Sequence, residues 1–192
     1  MDIYAALGVR RVINADARLT RLGGSLMAEP VRAAMDAAAR SYVDMFELQA
    51  AVSARLAALT RNEAAHVCTG AAAGLFLATM ACSVGADLHA IARLPDLGAR
   101  DEVIIHCAQR IPYDMAARLS GARLVQIGNA LQTSPWELEA AIGPRTAAVL
   151  YIAGAHLARG ALPLPEVVSI AHARGVPVVV DAAGVGDRDH LG

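Results

Sequence analysis

From residue 103 onward, short apolar runs alternate regularly with helix-like segments, and this alternation restricts the fold more than any other feature. Residues 103–107, 124–127, 147–152 and 176–180 are rich in valine and isoleucine, and the last run leads straight into Asp181. Helical segments fall between them at 113–119, at 135–141 with Ser134 as N-cap, and at 165–174. Runs that are apolar on both faces, not only on alternate positions, are buried on both sides. The pattern therefore predicts the α/β class, with a mostly parallel sheet covered by helices on both faces.

Upstream the pattern is looser. Residues 65–68 read as a short buried strand, 69–73 as a glycine- and alanine-rich turn, and 74–84 as a helix with Leu75, Leu77, Met80 and Val84 facing the core. Residues 46–59 repeat apolar side chains at helical spacing, with Leu48, Val52, Leu56 and Leu59 on one side. Before them come a brief strand at 12–14, a loop with paired glycines at 20–25, and a helix opening at Pro30 and running to Ala39 or Tyr42. The division expected is a helical N-terminal segment, 1–45, and a main body, 46–192. No repeat or linker interrupts either part.

Composition removes several classes of function. A hydrophobic fraction of 56% with 18% charged residues is that of a packed domain, not a disordered arm. The 17 basic and 18 acidic side chains are interspersed, so no basic stripe exists to hold nucleic acid. Every basic side chain is arginine; the chain has no lysine. P-loop chemistry, a lysine general base and a lysine Schiff base are all closed to this chain acting alone. Cys68, Cys82 and Cys107 have no paired spacing, and the six histidines show neither H-x-H nor H-x-x-x-H, so neither a disulfide framework nor a local metal site is expected. The serines lack a G-x-S-x-G context. The uncharged run 67–86 is diluted by glycine, alanine, threonine and serine, and the N-terminus lacks a signal-peptide core. A cytoplasmic protein without a membrane span is the expectation.

Ligands of doubly wound sheets gather beyond the carboxyl ends of the strands. Two such places stand out. At Thr69-Gly70-Ala71-Ala72-Ala73 small side chains leave backbone N–H groups open at a helix start, where an anion such as phosphate is favoured; a plain tight turn is the alternative. Asp181 ends an apolar strand, where a carboxylate needs a cation or donor. A cofactor ring nitrogen, an arginine, a magnesium ion or a helix N-terminus would serve, and so would a turn that the Asp caps. Gly184-Val185-Gly186 suggests a dinucleotide fingerprint, but Asp189 occupies the position of the third glycine.

The stretches Val12-Ile13-Asn14-Ala15, Thr20-Arg21-Leu22-Gly23-Gly24-Ser25, Ser41-Tyr42-Val43-Asp44-Met45, Cys68-Thr69-Gly70-Ala71-Ala72-Ala73, Ile91-Ala92-Arg93-Leu94-Pro95-Asp96 and Val178-Val179-Val180-Asp181-Ala182-Ala183 carry a family resemblance. Together they resemble the selenocysteine synthase-like (L-seryl-tRNA selenium transferase-related) group of fold-type I pyridoxal-phosphate enzymes, most of all the D-glucosaminate-6-phosphate ammonia-lyase type. The likeness runs in order through nearly the whole chain.

The resemblance implies pyridoxal 5'-phosphate as cofactor. Gly70, Ala71 and Ala72 would offer backbone donors to its phosphate, Asp181 would pair with its pyridine nitrogen, and Ala183 would pack on one ring face. Gln109 falls where the family places a histidine beside the ring. Arg21 would bind a substrate carboxylate or phosphate, with an unassigned surface arginine as the alternative. The family's Schiff-base lysine lies on a later loop than any residue here, so the chain is expected to be the front part of the large domain and inactive alone. The ancestral chemistry implied is α-proton abstraction and β-elimination with release of ammonia from an amino sugar acid or amino acid. A non-catalytic dimerisation or regulatory module of the same fold, and an unrelated phospho-metabolite-binding domain, are the other readings. Expected partners are a second copy or a missing C-terminal half, together with a small-molecule substrate.

Overall fold

The structure, a computed structural model, describes residues 2–15, 20–154 and 156–185. The chain divides into two compact units, Met1–Ala50 and Ala51–Gly192. Gly186 and Asp189 of the glycine fingerprint lie outside the described residues.

In the first unit α1 (Ile3–Ala6) starts at Asp2, whose carboxylate accepts from the Tyr4 N–H. A 3-10 turn spans Thr20–Leu22, and α2 (Glu29–Ala38) has Pro30 near its start, where the missing N–H costs nothing. The ion pairs Arg32–Glu29 and Arg40–Asp36 occupy its exposed polar side. Residues 12–14 are not a strand. Val12 and Ile13 are exposed, and no ladder pairs with them, so β-branched character alone did not make one. Asp44 opens α3 (Met45–Thr60) by accepting from the N–H groups of Phe46 and Glu47. The division between the units falls inside this helix. Its expected apolar side is not a core face: Leu48, Val52 and Leu59 are exposed, and Ala57 is the buried position.

The second unit holds four parallel strands in the order β2-β1-β3-β4. These are β1 (Glu102–His106), β2 (Arg123–Ile127), β3 (Thr146–Ile152) and β4 (Val178–Asp181). Helices α4 (Ala71–Val84), α5 (Leu88–Ala92), α6 (Met115–Leu119), α7 (Pro135–Ala141) and α8 (Leu164–His172) connect or precede them. Alternation along β1 sorts the two faces. Val103 and Ile105 pack with Leu75, Ala116, Ala117 and Leu150 on the α4/α6 side. Ile104 packs with Leu138, Val149, Tyr151 and Val167 on the α7/α8 side. All seven residues of β3 are buried. Each Val, Ile or Leu so buried contributes about 1.5–3 kcal/mol.

Two upstream expectations need correction. Residues 65–68 form no strand, because no member of the sheet pairs with them and Val67 is exposed. Helix α4 begins at Ala71, shortening the turn; Leu75 and Thr79 are buried and Met80 and Val84 pack against the same core, while Leu77 is exposed. Thr79 is tolerated inside because its hydroxyl donates to the Leu75 carbonyl at 2.8 Å.

His106 ends β1 on the α7/α8 side, fully buried, edge-on to the Tyr151 ring at 5.9 Å. Neither ring nitrogen has a hydrogen-bond partner among the described residues. Burial pushes its pKa below the ordinary imidazole value; the nearby Gln109 amide and Glu137 carboxylate oppose the shift without reversing it. The folded chain thus keeps His106 neutral where the unfolded chain takes up a proton. Stability from this residue is complete above about pH 6.5 and declines as pH falls below it, until the folded imidazole also titrates. Urea midpoints measured from about pH 7 down to about pH 5 should show this slope in the parent and a shallower one in His106→Phe. Parallel slopes would assign the acid sensitivity to other groups.

Candidate functional site

Three of the residues singled out from the sequence, Ala71, Asp181 and Ala183, meet at the carboxyl end of β4. Val179 packs on the α4 side of the sheet, and Asp181, two residues on, takes the same side. Asp181 and Ala183 line a cavity of about 230 Å³ together with Ala71, Gly74, Leu75 and Ala78 of α4.

Helix α4 presents its start to this space with no side-chain cap. Gly70, the N-cap, has φ 138°, a backbone that side-chain-bearing residues rarely adopt. The Gly74 N–H already bonds the Gly70 carbonyl at 3.0 Å. The N–H groups of the first turn before it have no intrahelical acceptor, and the side chains there are only methyl groups. Thirteen further helical residues stand behind Ala71, so the dipole adds to the attraction for an anion.

The carboxylate at the other end of the cavity is unlike the other buried acid among the described residues. Asp114 is met by Arg110 and Arg118. Asp181, only 9% exposed, accepts the Ala183 N–H at 3.0 Å and takes part in no ion pair among the described residues. An anionic oxygen so enclosed, with one backbone donor, suits a cationic N–H from a ligand. A phosphate at the helix start and a protonated ring nitrogen at Asp181 are what pyridoxal phosphate offers, so the residues present fit that cofactor.

Three of the six expected cofactor residues, Ala71, Asp181 and Ala183, therefore line one cavity, with Gly70 and Ala72 adjoining Ala71 in the chain. Gln109 does not line it. Its amide is fully buried and bonded to the backbone of Ile152. Arg21 lies exposed on the 3-10 turn of the first unit. Gly74 and Ala78 are wall residues that the sequence reading did not single out; their spacing from Ala71 along one helix face was the available signal. No group of three or more metal-ligating side chains occurs among the described residues, and no helix of those residues is long and apolar enough to cross a membrane.

A family model for L-seryl-tRNA selenium transferase (SelA) matches residues 12–189. The chain belongs to that family. A 5'-C-glycyluridine monooxygenase-decarboxylase from a Streptomyces species is 40% identical over 95% of this chain and 48% of its own length. D-glucosaminate-6-phosphate ammonia lyase from Salmonella typhimurium strain 14028s is 33% identical over 97% of this chain and 52% of its own. The chain thus spans about half the length of these curated relatives. A solved structure of D-glucosaminate-6-phosphate ammonia-lyase superposes with a TM-score of 0.92 at 32% identity, covering 98% of this chain and 53% of that one. An aspartate aminotransferase from Thermotoga maritima, at 18% identity and a TM-score of 0.56, covers 93% of this chain and 48% of that one and shares the fold. The architecture is that of the fold-type I pyridoxal-phosphate enzymes, α/β with a parallel sheet.

The backbone at the helix start can be tested with two glycines. Gly70→Ala forces a side chain into φ 138° and should cost about 1–3 kcal/mol in urea unfolding. Gly74→Ala adds a methyl 3.6 Å from Cys68 Sγ, an ordinary contact, and should be neutral or gain up to about 1 kcal/mol of helix propensity. Equal effects would contradict the conformation assigned to Gly70.

Proposed function

We propose that this chain is the cofactor-holding front portion of a pyridoxal-phosphate-dependent enzyme acting at the amino-bearing carbon of a small substrate. The observation that carries the reading is that an uncapped helix start and a buried carboxylate without an ion pair share one cavity. Backbone N–H groups of Gly70, Ala71 and Ala72 hold the phosphate, Asp181 keeps the pyridine nitrogen protonated, and Ala183 lies against the ring. When bound, the cofactor supplies an electron sink for charge developing at the substrate carbon. Arg21 holds a substrate carboxylate or phosphate.

The names of the relatives support different reactions, an ammonia elimination and a monooxygenation with decarboxylation. The lyase reading, α-proton abstraction and β-elimination from an amino sugar acid or amino acid, follows the relative whose solved structure superposes at 0.92. This chain does not complete that reaction alone, since it has no lysine amine to hold the cofactor covalently or to move the proton. The expected partner is a second copy or a C-terminal half equivalent to the rest of the relatives' length, and the setting is cytoplasmic.

Titrating the chain with pyridoxal phosphate should give saturable, reversible binding, followed by absorbance, and borohydride should fix no cofactor to any internal side chain. Asp181→Ala should weaken binding about tenfold or more, the scale of a charge-assisted contact. Equal affinity in parent and variant would remove Asp181 from the site. Ile3, Leu7, Ile13, Leu26, Met27 and Phe46 are exposed apolar residues of the first unit, so sedimentation should show self-association; a monodisperse monomer at about 100 µM would count against the partner reading.

A further inference from the structure

Strand β1 stops one residue short of its neighbour. Ile105 of β1 registers with Leu150 of β3, so His106 lies beside Tyr151, and Ile152 extends past the end of β1. There the chain leaves the sheet as a 3-10 turn, Cys107–Gln109. The Gln109 side chain turns back into the place β1 has left. Its Nε2 donates to the Ile152 carbonyl at 3.2 Å, and the Ile152 N–H donates to its Oε1 at 3.2 Å. The residue is 0% exposed, so without the amide both backbone groups of Ile152 would lie buried and unpaired. A primary amide is the side chain suited to this, because it carries one acceptor and one donor in a single plane, as a strand residue does.

The other side of Ile152 leads to the cavity. Ile152 registers with Asp181, and the Ala153 N–H donates to the Asp181 carbonyl at 2.8 Å. One backbone segment is therefore clamped between Gln109 and the residue whose carboxylate lines the site. We propose that Gln109 is a positioning residue, whose amide supplies the missing rung of the β1–β3 ladder and thereby fixes where the Asp181 carboxylate sits. This rests on the reading of Asp181 as partner of the cofactor's ring nitrogen.

The test compares pyridoxal phosphate with its analogue in which carbon replaces the ring nitrogen, on the 192-residue chain, its Gln109→Met variant and its Gln109→Glu variant. Glutamate keeps the acceptor for the Ile152 N–H but loses the donor, so it serves if the methionine variant does not fold. The parent should prefer the natural cofactor, and either variant should lose about tenfold of that preference while binding the analogue as the parent does. Amide hydrogen exchange on the unliganded chains supplies a second readout: Ala153 should lose protection in the variants while Ile104 and Leu150 keep theirs. A parent that does not distinguish the two compounds overturns the Asp181 reading and this inference with it. A parent that distinguishes them, with variants that do so equally well or that weaken both compounds alike, overturns the role of Gln109 and leaves Asp181 in place.

Discussion

The second unit is organised by the two hydrogen-bonded ladders on either side of β3. That strand is buried along all seven residues and pairs with β1 on one side and β4 on the other. Because nothing on it touches water, every backbone group needs a partner in the protein. Where β1 runs out, the Gln109 amide takes over for Ile152, and where β3 itself ends, Ala153 still bonds the Asp181 carbonyl. The ladder thus delivers a carboxylate to the α4 side of the sheet, beside the helix start that faces it across the cavity. Placement of the site follows from satisfying the backbone of one buried strand.

The amino ends of the strands are handled by charge. Arg145 reaches both Asp101 and Glu102, and Arg123 pairs with Glu102. The guanidinium of Arg145 holds the Asp101 carboxyl below the usual carboxylate value. Acids and bases at that edge answer one another, with partly buried carboxylates and exposed guanidiniums. At the carboxyl edge Asp181 has no such answer among the described residues, a contrast that supports the proposed site there.

Much of this was legible in the sequence, because two of the signals are local. Helix α7 has the bounds its residues announce: Ser134 and Glu137 make a capping box around Pro135, and all three act within one turn. The β1 and β3 runs are apolar on both faces, which specifies a strand covered on both sides whatever lies around it. The failures all depend on distant partners. Residues 65–68 and 12–14 have strand-like composition, but a strand exists only where another chain segment offers its ladder. Leu48, Val52 and Leu77 keep helical spacing while remaining exposed, since period identifies a face and not what covers it. The bonds of Gln109, which the resemblance places beside the cofactor ring, reach 43 residues along the chain to Ile152, a separation no local pattern encodes. Asp181, by contrast, was legible because a carboxylate closing a run of three valines is conspicuous in any register.

Holding a cofactor and moving a proton make different demands, and the roles proposed for this chain's residues concern the first. Backbone N–H groups and an aspartate can bind a phosphate and keep a ring nitrogen charged without changing their own protonation. A group that removes a proton from carbon has to release and regain one near neutral pH. Arginine cannot do this, since its guanidinium stays protonated throughout the accessible range, and every basic side chain here is arginine. The neutral imidazole of His106 has the right intrinsic range, but it lies on the α7/α8 side of the sheet, away from the face that carries Asp181. The lysine amine that the proposed chemistry uses is not among these 192 residues.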